Sequence, residues 1–147
     1  MIRVYTSSVI DASADAVWGR IRDFNGLPQW HPGITDSRIE GGEPSDRVGC
    51  IRNFHTRDGG LIRERLLSLS DYEFSCTYSI LESAMGVDNY VATIKLTPVT
   101  DGTRTFAEWS AEFDCAEGRE QALTQSIGQG VFQAGFDALK RSLLGRR

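Results

Sequence analysis

"AEGREQALTQSIGQGVFQAGFDALKRSLL", Ala116 to Leu144, reads as one long helix, yet it carries Gly128, Gly130 and Gly135. Each glycine inside a helix costs about 0.8–1.0 kcal/mol relative to alanine, so the three together oppose it by roughly 2–3 kcal/mol. On a helical wheel, Ile127, Val131, Leu139 and Leu143 form a wide apolar arc, with Gly128, Gly135 and Ser142 near its centre and Gly130 on the other side. A buried face that is bare at its middle has two readings. Either a facing sheet approaches closely, or a cavity is left between them.

The chain before this helix supplies such a sheet. From about residue 35 to 114, short segments are separated by turn signals ("EGGEPSD", "DGG", "SD", "ESAMGVD", "TDG"), the pattern of an antiparallel meander. They divide the region into about six strands: "DSRIE" (36–40), "GCIRNFHT" (49–56), "LIRERLLSLS" (61–70), "EFSCTYSIL" (73–81), "NYVATIKLT" (89–97) and "RTFAEWSAEFD" (104–114). Farther out, "RVYTSSVI" (3–10) predicts a first strand. Ser13 is placed to cap a short amphipathic helix bearing Val17, Trp18, Ile21 and Phe24. "NGLPQWHPG" then allows a turn or two of helix between Pro28 and Pro32. The order is strand, two short helices, six strands, long helix. A single antiparallel sheet of that size most simply curls around the one long helix, which makes the class α+β.

Alternation along the strands says what faces inward. Phe74, Cys76, Tyr78 and Ile80 share one face, as do Tyr90, Ala92, Ile94 and Leu96, and Trp109, Ala111 and Phe113. Tyr78, Tyr90 and Trp109 are wide rings with polar tips, which suit a pocket that orients an apolar ligand and also suit an ordinary core. In "LIRERLLSLS", Glu64 falls on the face of Ile62 and Leu66; in "GCIRNFHT", Arg52 alternates with Cys50 and Phe54. The "DGG" hairpin makes these strands neighbours, so an interior Arg52–Glu64 pair is expected. A register one residue off would put both on the surface. Two buried charges cost several kcal/mol per ion unless paired, so a ligand-facing role is the natural reason to keep them inside.

Composition narrows the function classes. With 147 residues, 40% hydrophobic and 24% charged, residues 1–147 read as a single domain around one core. The net charge is -4 and the basic residues are scattered apart from the terminal "GRR", so no nucleic-acid partner is expected. No apolar run is long enough to span a bilayer and no signal-peptide pattern opens the chain, which predicts a cytoplasmic protein. Cys50, Cys76 and Cys115 are odd in number and far apart, so they read as buried free thiols. No metal-ligand spacing, nucleophile elbow, P-loop or dinucleotide fingerprint is present, and no metal or cofactor is expected. Of the two histidines, His55 faces solvent by strand parity, while His31 either caps a surface turn or joins the site.

"SSVIDASADAVWGRIRDFNGLPQWHPGI", "VGCIRNFHTRDGGLIRERLLSLSD", "YSILES", "NYVATIKLTP" and "EWSAEFD", closed by "GFDALKRSLL", resemble the polyketide cyclase/dehydrase-like group of the START-related, birch-pollen-allergen-like superfamily, SRPBCC. The likeness runs over nearly the whole chain. It implies the helix-grip fold: a seven-stranded antiparallel sheet wrapped around the long C-terminal helix, two short helices after the first strand, and a hydrophobic cavity between sheet and helix. It also implies pocket positions. Glu64 and Tyr90 match those of the hormone-receptor branch, as do Phe54, Tyr78, Ile80 and Trp109 by strand position and Ile127, Val131 and Gly135 on the helix. His31 falls about where that branch has a ligand-pairing lysine. The receptors' gate loop is replaced by the shorter "RDGG" and their latch by "AMG" around Met85, so hormone sensing does not carry over, although both loops should border the cavity mouth.

Two functions stay open. One is binding or carrying a hydrophobic small molecule (a lipid, polyketide or aromatic compound) by a bacterial monomer or homodimer. The other is a cyclase or dehydratase acting in the same cavity, with His31 or Glu64 as acid–base group and Arg52 or a tyrosine as polarising group. The lack of a catalytic constellation favours binding.

Overall fold

The computed structural model describes residues Met1–Leu144. Strand β1 (Ile2–Ile10) is followed by helices α1 (Ala14–Ile21) and α2 (Leu27–Trp30). Six further strands follow in sequence: β2 (Ile34–Ile39), β3 (Ile51–Thr56), β4 (Leu61–Ser70), β5 (Ser75–Glu82), β6 (Val87–Val99) and β7 (Arg104–Cys115). All seven join one antiparallel sheet in the order β1-β7-β6-β5-β4-β3-β2, so the meander closes back onto the first strand. Its concave face meets a continuous C-terminal helix made of α3 (Glu120–Gln125), a π-helical segment (Ser126–Gln133) and α4 (Ala134–Ser142). This is the α+β helix-grip architecture expected from the sequence.

Local chemistry accounts for the elements. Ser13 caps α1, its hydroxyl accepting from the Ala16 N–H at 3.1 Å, and Val17, Trp18 and Ile21 are buried at helical spacing. Asp71, in the β4–β5 turn, then pins that helix: it accepts from Trp18 Nε1 at 2.7 Å and from Arg22 Nε and Nη2 at 2.8 and 3.0 Å. These contacts hold the Asp71 carboxyl down at about 2. Cys50 and Cys76 are buried and Cys115 half-buried, all as free thiols.

The observed registers refine the alternation. Leu66 pairs with Tyr78 while Ser68 pairs with Thr77, so Leu67 is an extra residue bulged outward. The bulge returns Leu69 to the inner side opposite Cys76. Phe74 lies outside β5, in the turn with φ 53°, where it packs on Trp18 at 6.0 Å between ring centroids. In β6 the register shifts between Asp88 and Val91, with Asn89 at φ 54°. Tyr90 keeps the alternation of Ala92, Ile94 and Leu96 and points inward.

The C-terminal helix departs most from expectation. The Ala134 N–H bonds to the Gln129 carbonyl five residues back, so the wheel drawn for a regular α-helix loses phase across this segment. At Gly128, an added Cβ would meet Val4 Cγ1 at 3.4 Å; at Gly130 it would meet nothing within 4 Å. A Cβ on Gly135 would lie 3.0 Å from His31 Cδ2 and Trp109 Cζ3 and 3.1 Å from Trp30 Cζ3. Gly135 is therefore a point of closest approach, and Phe132 and Phe136 pack beside it against Trp109, Phe132 stacked at 4.5 Å between centroids.

Candidate functional site

Away from Gly135 the helix and sheet part, and a cavity of about 550 Å³ opens between them. Its wall takes Arg52 and Phe54 from β3, Glu64 from β4, Tyr78 and Ile80 from β5, Tyr90 from β6 and Trp109 from β7. Ile127 and Val131 close it from the helix, and His31 and Leu27 from the α2 region. Exposed lining residues Arg57, Asp58, Ala84, Ser126 and Gly130, with half-buried Met85, mark the mouth. The β3–β4 and β5–β6 loops thus border it as expected.

The interior ion pair is present, in the register the hairpin required. Arg52 stands directly opposite Glu64, each 6% exposed, with Nε and Nη2 at 2.8 and 2.7 Å from Glu64 Oε1. Arg52 Nη1 donates to the Phe24 carbonyl at 3.1 Å, and the guanidinium carbon lies over the rings of Phe24 (3.9 Å) and Tyr78 (4.8 Å). Burial pushes the Glu64 carboxyl up and the Arg52 charge opposes that rise. Removing either partner would leave an uncompensated buried charge.

Above the pair, Trp109 Nε1 donates to the Tyr78 hydroxyl at 3.1 Å. An indole N–H can only donate, so Tyr78 keeps its own proton for another acceptor. Tyr90 is its neighbour in this cluster, and burial pushes both phenols well above their ordinary range. Both are hydroxyl donors at neutral pH.

His31 lines the cavity without offering it a nitrogen. The Gly33 N–H donates to His31 Nδ1 at 3.1 Å, which requires a bare Nδ1, so the proton sits on Nε2 and is donated to the Val131 carbonyl at 2.7 Å. That bond ties the segment after α2 to the π-helical segment. Burial lowers the imidazole's pKa, the Val131 bond partly opposing the shift and nearby Arg52 adding to it. His55 is exposed and bonded to Asp36 Oδ1 at 2.8 Å.

Of the twelve positions expected to line a ligand site, His31, Arg52, Phe54, Glu64, Tyr78, Ile80, Met85, Tyr90, Trp109, Ile127 and Val131 meet at this one cavity. Gly135 does not. It is a correction: the bare spot at the wheel's centre is filled by Trp30, Trp109 and His31 arriving from elsewhere in the chain. Gly130, which the wheel set on the far side, lines the cavity at its exposed mouth. Sequence reasoning also missed Leu27, Ile34, Leu61, Ile62 and Ser126. Leu61 and Ile62 were legible as the apolar start of β4; Ser126 carried no signal. Among the described residues, no group of three or more His, Cys, Asp or Glu could hold a metal ion, and no helix is long and apolar enough to cross a membrane.

Residues 1–143 match the family profile described as polyketide cyclase / dehydrase and lipid transport, and the chain belongs to that family. No curated protein matches. Among solved structures, it is similar to the protein XoxI from Bacillus cereus, with 33% identity over 99% of this chain and 97% of that one and a TM-score of 0.87. An uncharacterised protein from Bacillus thuringiensis shares 32% identity over 97% of this chain and 98% of its own, at a TM-score of 0.85. A protein from Thermobifida fusca, solved in solution, shares 26% over 100% and 97%, at 0.87.

Proposed function

We propose that the chain binds a hydrophobic small molecule, such as a lipid, a polyketide or an aromatic compound, in the cavity between the sheet and the C-terminal helix. The observation that carries this reading is the 550 Å³ void beside the π-helical segment, in the size range of small-molecule pockets. Its wall is mainly apolar and aromatic, with polar groups gathered at Arg52, Glu64, Tyr78 and Tyr90. Membership of a family whose description includes lipid transport is consistent with it. Catalysis in the same cavity is the less favoured reading, since both His31 nitrogens are engaged by backbone groups and Arg52 is committed to Glu64.

Native mass spectrometry of the protein purified from its own host tests the reading. A co-purifying compound is expected on the unmodified chain and is expected to be missing from Ile80→Trp, which puts an indole into the void. Equal occupancy of both proteins would place the ligand elsewhere and overturn the reading.

A further inference from the structure

The next step rests on the cavity reading above and concerns the charge the cavity accepts. Four charged side chains line it. Arg57 and Asp58 are exposed at the mouth and engaged there, Arg57 Nε with the Pro32 carbonyl at 2.6 Å and Asp58 Oδ1 with the Gly60 N–H at 3.1 Å and the Thr56 hydroxyl. Arg52 and Glu64 lie inside and neutralise each other. His31, the remaining titratable nitrogen on the wall, is held as the neutral Nε2–H tautomer by its two backbone bonds. The interior therefore presents no unpaired charge of either sign.

What it does present is an open acceptor and tyrosine hydroxyl donors. Both Arg52 contacts fall on Glu64 Oε1, and no described residue donates to Oε2. The Tyr90 hydroxyl stands in the same cluster as Tyr78, which is already the acceptor for Trp109. A ligand hydroxyl can donate to Glu64 Oε2, and a ligand carbonyl or hydroxyl can accept from the tyrosine.

We propose that this cavity selects uncharged ligands bearing a hydroxyl or carbonyl group and rejects the carboxylate and ammonium forms of the same skeleton. A carboxylate entering the site meets a guanidinium whose charge is already compensated and a glutamate of its own sign. An ammonium can donate to Glu64 Oε2, but it meets a carboxylate whose charge Arg52 already compensates. Either ion loses its hydration without gaining an unshared counter-charge, a cost of several kcal/mol per ion in a buried site.

The test uses the full chain at pH 7.5 and a matched fluorescent series: 1-pyrenemethanol, 1-pyrenecarboxylate and 1-pyrenemethylammonium, each titrated to a Kd. A dodecyl series (alcohol, carboxylate, ammonium) is run in parallel for ligands of a different shape. The alcohol is expected to bind at least about tenfold more tightly than either ion in whichever series the cavity accepts. Equal or tighter binding of an ion overturns the inference and leaves the cavity reading intact; no binding by any member of either series overturns both. Glu64→Gln sharpens the result by freeing the Arg52 charge. The carboxylate is expected to gain about tenfold on the alcohol in this variant, and no gain would mean that the pair does not set the selectivity. Should the variant not fold, the two probe series on the unmodified chain decide alone.

Discussion

The two halves of the C-terminal helix face the same sheet and do opposite things. Around Gly135, α4 comes so close that Trp30, His31 and Trp109 touch its backbone, and Phe132 and Phe136 complete a dense aromatic junction. One turn earlier, where the helix widens to π geometry, Ile127, Gly130 and Val131 stand back from Tyr78 and Tyr90 across open space. Both ends are apolar and both carry glycine. Glycine thus serves contact at one end and leaves room at the other, and what decides is whether large rings from other elements reach it.

Substitutions at the two ends should therefore differ in what they damage. The largest effect is expected from Phe132→Ala, which removes the ring stacked on Trp109 and should cost about 3–5 kcal/mol by urea unfolding. A loss below 1 kcal/mol would mean that the junction is not the tight end. Next comes Gly135→Ala, whose methyl would press on three rings at 3.0–3.1 Å. It should cost about 1–3 kcal/mol, and a neutral result would show that the rings yield. Position 135 thus belongs to the packed junction and not to the cavity wall that the resemblance implied.

His31 links the two ends, and acid tests that link. Its pKa is lowered from 6.5 in the folded protein, so the unfolded chain takes up the proton first. The contribution of neutral His31 is complete above about pH 6.5 and is lost as pH falls from there through the folded value. Urea midpoints should thus be lower at pH 5.5 than at pH 7.5, and His31→Gln should narrow the gap. Glu64 is shifted upward, so its stabilising contribution is lost as pH rises through its folded value, the opposite trend. The difference between wild type and the His31 variant isolates the imidazole, and an unchanged gap would remove His31 from the account. At the hollow end, Ile80→Trp should move stability by no more than about 1 kcal/mol while lowering ligand occupancy. The smallest effect is expected at Gly130→Ala, where an added methyl meets nothing and the better helix former should raise stability by up to about 1 kcal/mol.

What could be read from the sequence follows from how local its causes are. Ser13 caps its helix through the N–H three residues on, and the Arg52–Glu64 pairing follows from alternation plus one short hairpin. Eleven of the expected cavity residues came from such patterns and from family resemblance, and they meet at one void. The misses arise where a backbone irregularity resets the count. The bulge at Leu67 restores Leu69 to the inner face, and the π-helical segment breaks the phase of the wheel on which Gly130 was set apart. Gly135 was misread for a different reason. Its neighbours come from α2 and β7, at distances along the chain that no periodicity within the helix can register.

The pinned ends of the closing helix also determine where this fold can change length over evolutionary time. Deleting one residue between Ser126 and Gln133 would restore regular winding, but it would also turn everything downstream by about 100° and draw it back by about 1.5 Å. Phe136 and Leu139, both wholly buried, would then leave their seats on the sheet. Insertions in the β3–β4 and β5–β6 turns disturb no such seats. Descendants of this chain are free to diversify at the doorway while the number of residues in the back wall stays fixed.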